Sequence, residues 1–213
     1  MQLYSFFNSS TSYRVRIALA IKGLHVDYCA VNLRAGEQRD QAYRTLNPAG
    51  GVPLLVNDEG VALGQSLAII DYLETLQPDP PLLPAEPLLR ARVLELANLI
   101  ACDMHPLNNL RVLNYLKNEL GVSEAQQQAW YAHWIAEGLR AVEALLVRHG
   151  VGEYCFGDQP TLADCCLVPQ VANGIRMNCD LTLYPRVMAI YYHCQRQPAF
   201  QQAAPAQQPD YCE

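Results

Sequence analysis

The chain has 213 residues, more than one average domain and long enough to bury a substantial core. Apolar residues make up 51% and charged residues 17%, the balance of a globular chain and not of a disordered one. The net charge of −6 argues against nucleic-acid or acidic-membrane partners, while leaving room for a local basic pocket that holds an anion.

From the N-terminus, Gln2 to Phe6 reads as a short strand and Ser9 to Lys22 as a helix. Tyr13, Ile17 and Ile21 lie on one helical stripe and Val15 and Leu19 on another, so the helix is expected to be buried on more than one side. Gly23 ends it. Arg14, Arg16 and Lys22 interrupt or follow this apolar stretch, which is not the layout of a signal peptide. No run approaches the ~18 apolar residues of a membrane span, so a cytoplasmic protein without a membrane partner is expected. Val26 to Leu33 is strand-like, Glu37 to Leu46 a short helix ended by Asn47-Pro48, and Pro53 to Val56 a strand. A turn at Asn57 to Gly60 leads back into Val61 to Leu63, and a helix from Ser66 buries Ile69, Ile70 and Leu73. A βαβ unit followed by a helix, a hairpin and a helix predicts a small mixed sheet in a thioredoxin-like layout over residues 1–80.

Pro78 to Pro87 reads as an extended linker. An all-helical second domain is expected over 86–213: one long helix from Leu89 to Leu120, another from Ser123 to His149 with Trp130 and Trp134 on its apolar side, and further helices from Thr161 and from Tyr184-Pro185. The Ala/Pro/Gln-rich tail from Ala203 is expected to be loosely ordered. The eight cysteines form no C-x-x-C pair and no zinc-like cluster, so they are expected to be small buried apolar residues and no metal is predicted.

Three short segments can carry chemistry. Ser9-Ser10-Thr11-Ser12 opens the first helix, where the free N–H groups and the helix dipole favour an anion such as a thiolate; the same serines could simply cap the helix. Val52-Pro53 precedes a strand. As a cis-proline turn it would leave the Val52 N–H and C=O to pair with an extended peptide; as a trans proline it would merely start an edge strand. At Gln65-Ser66, Ser66 would be an N-cap whose helix start either holds a carboxylate or is only capped. Together the three offer sites for a thiol, a peptide and a terminal carboxylate, in the order in which glutathione carries them.

These residues also carry a family resemblance. The run Ser9 to Leu19, with Asn47-Pro48 to Val52-Pro53 and Gln65-Ser66-Leu67-Ala68-Ile69-Ile70, resembles the zeta-class glutathione transferases. Thr161-Leu162-Ala163-Asp164 resembles their helix-capping box, and Leu167 to Asn173 and Gln208-Pro209-Asp210 extend the likeness over essentially the whole chain. The resemblance implies the glutathione transferase fold, an α/β thioredoxin-like domain followed by an all-α domain, a homodimer, and glutathione as cofactor. It implies an isomerase of a maleyl-type dicarboxylate from aromatic breakdown, such as maleylacetoacetate or maleylpyruvate. Ser9 is then the main hydroxyl donor to the thiolate and Ser10 the second, with Thr11, Val52, Gln65, Ser66, His105, Asn109 and Arg111 as glutathione contacts. Arg176 matches a position facing the substrate.

Two departures from the family stand out. Thr11 replaces the usual cysteine, and Asn8 stands where an arginine often helps to hold a substrate carboxylate. In the second domain Pro106 should kink the long helix, while His105 and Asn109, four apart, share a face. A conjugating transferase or a glutathione-dependent dehalogenase is the alternative function, and a non-catalytic binder a third. A glutaredoxin-like reductase is excluded because no cysteine stands at the first helix start.

Overall fold

The computed structural model describes residues 1–212. Four short strands, β1 (Gln2–Ser5), β2 (Asp27–Ala30), β3 (Leu54–Val56) and β4 (Ala62–Gly64), form one sheet in the order β2-β1-β3-β4. β1 and β2 run parallel, as a helical crossover requires, and β3 is antiparallel to both β1 and β4. Leu3 pairs with Leu55 across the register, and both are buried. On the alternate positions Tyr4, Leu54 and Val56 join Val31 and Tyr43 in a second cluster.

The crossover helix α1 (Ser10–Lys22) is enclosed almost all round, which suits its two apolar stripes, and Gly23 closes it at φ 65°. The expected helix over 37–46 divides into a 3₁₀ turn (Glu37–Arg39) and α2 (Gln41–Leu46), with Asp40 extended between them. The helix α3 (Ser66–Leu76) packs on α1 and buries Ile69, Ile70 and Leu73, as its spacing predicts. Lys22, buried in the last turn of α1, donates to the carbonyls of Gln77 (2.6 Å) and Pro80 (3.1 Å) and pairs with Glu74 at 2.7 Å. Glu74 also accepts from the Leu82 N–H (3.0 Å), so one ion pair fixes the end of α1, the end of α3 and the start of the linker.

The chain divides into two compact units, Met1–Leu82 together with Gln195 onward, and Leu83–Cys194. The expected second domain ran to the C-terminus; instead the last segment packs into the first unit. It is not loosely ordered either. It forms α9 (Pro198–Ala203), which lies on α1 and buries Phe200 and Ala203, followed by a 3₁₀ turn. Arg16 supplies the reason, because its guanidinium donates to the Ala203 carbonyl at 3.0 Å and needs that carbonyl as a partner.

In the second unit the expected long helix over 89–120 is broken. It becomes α4 (Pro87–Asn98), a π-helical stretch (Leu99–Met104), a 3₁₀ turn (His105–Asn108) and α5 (Leu110–Asn118). Pro106 has no N–H to offer, and Asn109 leaves the helical region at ψ 146°. The long helix α6 (Glu124–His149) begins with a capping box at Ser123 and buries Tyr131, Ile135, Leu139, Val142 and Leu146. Trp130 and Trp134 sit at the margin of that stripe and are only half-buried. Two more helices, α7 (Leu162–Arg176) and α8 (Pro185–Gln195), complete the unit. Four cysteines, Cys155, Cys165, Cys166 and Cys194, are buried as expected; Cys29 and Cys179 are half-buried, and Cys102 and Cys212 are exposed.

The capping box of α7 is the strongest local determinant of this unit. Asp164 is wholly buried and accepts from the N–H groups of Thr161 and Cys155, both at 2.8 Å, and from the Thr161 hydroxyl at 3.0 Å. It thus ties the loop before α7 to the helix. Asp164→Ala leaves three buried donors without this acceptor, and urea unfolding should show a loss of about 2–4 kcal/mol. A loss below ~0.5 kcal/mol would mean that water or a relaxed backbone replaces the carboxylate.

Candidate functional site

The opening turn of α1 is built on Ser9, which caps the helix from an extended conformation. Its Oγ accepts from the Ser12 N–H at 3.2 Å and lies 2.9 Å from Thr11 Oγ1. The Thr11 hydroxyl in turn donates to the Val52 carbonyl at 2.8 Å. The proton order follows: with Thr11 donating to Val52, the Ser9 proton points to Thr11 until another acceptor draws it away. Ser9 and Thr11 are half-buried and Ser10 is buried. The first turn of α1 carries no acidic side chain, so the positive end of its dipole has no carboxylate from its own helix.

The Val52-Pro53 bond is cis. The expectation that this turn leaves both Val52 backbone groups unpaired is corrected in one respect, because the Val52 carbonyl takes the Thr11 proton. No described residue accepts from the Val52 N–H. The loop before it is held by Asn47 Nδ2 (2.7 Å) and the Tyr43 hydroxyl (2.6 Å), which both donate to the Gly51 carbonyl.

At the start of α3 the expected N-cap is shifted by one residue. Gln65 is the cap and Ser66 the first helical residue; Gln65 sits at φ 68° and makes no side-chain capping bond. A non-glycine residue with positive φ away from a tight turn is a strained choice, of order 1–3 kcal/mol. The Ser66 Oγ accepts from Arg14 Nη1 at 3.2 Å, and both residues are buried. A guanidinium therefore stands at the start of a helix whose first turn has no acidic residue. Through Thr11 and Arg14, α1 touches both other segments, so the three sequence-predicted segments are neighbours in space. Asn8, half-buried, immediately precedes Ser9.

In the second unit the break at Pro106 does not separate His105 from Asn109. Asn109 Nδ2 lies 3.3 Å from His105 Nε2, while Asn109 Oδ1 caps α5 by accepting from the Arg111 N–H at 3.1 Å. Arg111 is exposed. Arg176, exposed in the last turn of α7, donates to Asn173 Oδ1 at 2.9 Å and also interacts with Tyr131. Burial pushes the Tyr131 hydroxyl up to about 12, so it stays protonated beside that cation. A surface depression of about 460 Å³ near Glu95, Asn98, Asp103 and Arg148 contains none of the predicted residues.

Sequence reasoning missed the strain at Gln65, for which a glutamine gives no signal, and the loop clamp by Tyr43 and Asn47. It noted Arg16 and Asp210 only as parts of motifs. In chemical terms the first unit offers hydroxyls at one helix start, a strand-like backbone N–H at Val52, and a buried guanidinium at a second helix start. That set suits a short extended peptide that carries an ionisable side-chain group, a backbone amide and a terminal carboxylate. Glutathione has that layout, and the residues present fit it.

Residues 3–81 match the family model for the N-terminal domain of glutathione S-transferases, and residues 124–173 that for their C-terminal domain. A maleylacetoacetate isomerase of Pseudomonas aeruginosa is 49% identical over 212 residues, covering 99% of this chain and 98% of that one. The solved holo structure of a maleylpyruvate isomerase, a bacterial zeta-class enzyme, superposes with a TM-score of 0.97 at 47% identity, covering 100% of both chains. A maleylacetoacetate isomerase of Anaeromyxobacter dehalogenans, solved with dicarboxyethyl glutathione and citrate in its active site, has a TM-score of 0.89 at 39% identity, covering 100% of this chain and 97% of that one.

The strain at Gln65 is testable without any ligand. In Gln65→Gly, relief of the positive φ should offset the ~0.5–1 kcal/mol of extra chain entropy that glycine brings. The thermal midpoint should stay level or rise. A clear fall would mean that the glutamine conformation is unstrained or that its side chain stabilises the fold.

Proposed function

Because the chain belongs to the glutathione S-transferase family, we propose that it is a glutathione-dependent cis–trans isomerase of a maleyl-type dicarboxylate, maleylacetoacetate or maleylpyruvate. The observation that carries this reading is the placement of Ser9, Thr11, Val52, Gln65 and Ser66 around α1, together with full-length likeness to isomerases of that type. The dicarboxyethyl glutathione held by the Anaeromyxobacter relative is what a four-carbon unsaturated dicarboxylate and glutathione form by addition, which supports a dicarboxylate electrophile.

When bound, glutathione supplies the nucleophilic sulfur that turns the conjugated cis double bond transiently into a single bond, and it is released unchanged after rotation. The residues of this chain do the rest. The Ser9 hydroxyl turns from Thr11 to the sulfur, with Ser10 as the second donor, and the α1 dipole adds its field. Lowering a thiol pKa by about two units from its ordinary ~8.5 corresponds to ~2.7 kcal/mol, within reach of a helix start plus hydroxyl donors. Val52 pairs with the peptide of the cofactor through its N–H. Gln65 and Ser66, backed by Arg14, hold the glutamyl carboxylate. His105, Asn109 and Arg111 are assigned to glutathione contacts on the resemblance. Arg176, and Asn8 in place of the family's arginine, are assigned to the substrate. Arg14 is committed to Ser66, which leaves Arg176 the stronger candidate for a substrate carboxylate. A cytoplasmic homodimer acting in aromatic breakdown belongs to the same reading; among the described residues no helix is long and apolar enough to cross a membrane.

Two variants test these roles. Ser9→Ala should slow isomerisation at pH 7 and recover part of the rate at higher pH, because the bound thiol then ionises later. An unchanged pH–rate profile would remove Ser9 from the role, and the same effect in Ser10→Ala instead would exchange the two. Arg176→Ala should lower kcat/KM for a dicarboxylate by about 1.5–3 kcal/mol in transition-state stabilisation. It should spare a neutral electrophile and the affinity for glutathione. Equal losses on both substrates would make Arg176 structural, anchored to Asn173 and Tyr131 alone.

A further inference from the structure

The loop that carries Asn8 and Ser9 is held by the other end of the chain. Asp210 Oδ2 accepts from the Phe7 N–H at 3.0 Å, and its Oδ1 accepts from the Tyr28 hydroxyl at 2.6 Å. Arg16 grips the same loop from the opposite side, donating to the carbonyls of Phe7 (3.0 Å) and Phe6 (3.3 Å) and to Ser5 Oγ (3.2 Å). The Phe6 carbonyl also receives the Ser9 N–H at 3.0 Å, which closes the turn into α1. Phe7 is thus held at its N–H by a carboxylate and at its C=O by a guanidinium. Its ring is enclosed as well, by the edge of Tyr211 at 5.4 Å and by the Arg34 guanidinium at 5.3 Å.

The tail is itself braced so that Asp210 arrives in place. Gln208 Nε2 donates to the carbonyls of Ala204 (2.9 Å) and Gln202 (3.1 Å), and the Tyr211 N–H returns to the Gln208 carbonyl at 3.0 Å. Asp210 also lies close enough to the buried Arg16 guanidinium to offset part of the cost of burying that charge. Its two acceptors go to β2 and to the peptide two residues before Ser9. Phe7 is joined to Ser9 through a single turn, and a misplacement of about 1 Å at a reacting group can cost on the order of a hundredfold in rate.

We propose that Asp210 is a positioning residue for the Ser9 hydroxyl, acting through the Phe7 peptide, so that the C-terminal segment sets the ionisation of the bound thiol. This rests on the reading that Ser9 faces the glutathione sulfur, which Ser9→Ala, run alongside, tests separately. The experiment compares wild type, Asp210→Ala, Asp210→Asn and Tyr28→Phe in three readouts: the bound-thiol pKa, from the pH dependence of turnover at saturating glutathione; the KM for glutathione; and the thermal midpoint.

Asp210→Ala should raise the bound-thiol pKa by about one unit and the KM for glutathione by on the order of tenfold. Asp210→Asn should stay within about twofold of wild type, because its oxygen still accepts from Phe7 and its amide can donate to the Tyr28 oxygen. Tyr28→Phe, which removes one of the two donors, should shift the pKa the same way by less. A wild-type thiol pKa in Asp210→Ala, whatever its thermal midpoint, overturns the proposal and makes the tail a structural strap. If that variant cannot be purified folded, an unshifted pKa in Tyr28→Phe overturns it. Wild-type protein that binds no glutathione at millimolar concentration sinks the underlying reading instead.

Discussion

A guanidinium in the interior must find acceptors for its donors, and in this protein Arg16 organises the first unit by finding them. Its side chain leaves the buried face of α1 and takes the carbonyls of Phe6, Phe7 and Ala203 and the Ser5 hydroxyl. Burial lowers its pKa, Tyr28, Tyr13 and Asp210 offset part of that, and the result of about 10 is still well above neutrality, so the charge is retained and needs those acceptors. The β1–α1 loop cannot drift from the helix without uncovering the charge, nor can α9 leave α1. The geometry that places Ser9 as helix cap is therefore a consequence of satisfying a cation two turns further along the same helix.

From that anchor α1 reaches the other two segments of the site. Thr11 carries a hydroxyl to the Val52 carbonyl, and Arg14 carries a guanidinium to Ser66. Ser9, Thr11, Arg14 and Arg16 lie within two turns, so one short helix supplies the thiol end of the site, its link to the peptide turn, its cation at the carboxylate end and its own restraint. Threonine in place of the family's cysteine has a direct consequence here. A hydroxyl donates to a carbonyl more strongly than a thiol does, and the Ser9–Thr11–Val52 chain depends on that donor.

The α/β layout of the first unit was legible because its signals are local. Apolar stripes on α1, turn residues at 57–60 and the spacing of Ile69, Ile70 and Leu73 each depend on a few neighbouring residues, and all reappear in the structure. The candidate segments were legible one by one, yet each kept a plain structural alternative until the contacts from Thr11 and Arg14 made them neighbours. What could not be read was non-local. The order of the tail depends on Arg16 reaching the Ala203 carbonyl and Tyr13 the Phe200 carbonyl across most of the chain. The break at Asn109 needed more than the proline at 106, since a kink alone would have preserved the helix. The positive φ at Gln65 falls at the junction of β4 and α3, with no glycine to announce it. Family resemblance supplied the chemistry that no spacing could, and full-length likeness to isomerases of maleyl compounds agrees with it.

In an isomerase of this kind glutathione is a returning cofactor and not a consumed substrate. The most direct measurement supplies maleylacetoacetate or maleylpyruvate in large excess over a small fixed amount of glutathione, and counts trans product and remaining free thiol as the reaction proceeds. An isomerase yields many equivalents of trans isomer per glutathione, with the thiol undiminished at the end. A reaction that stops after one equivalent, with the thiol lost to a stable adduct, would contradict the isomerase reading and make the protein a conjugating transferase.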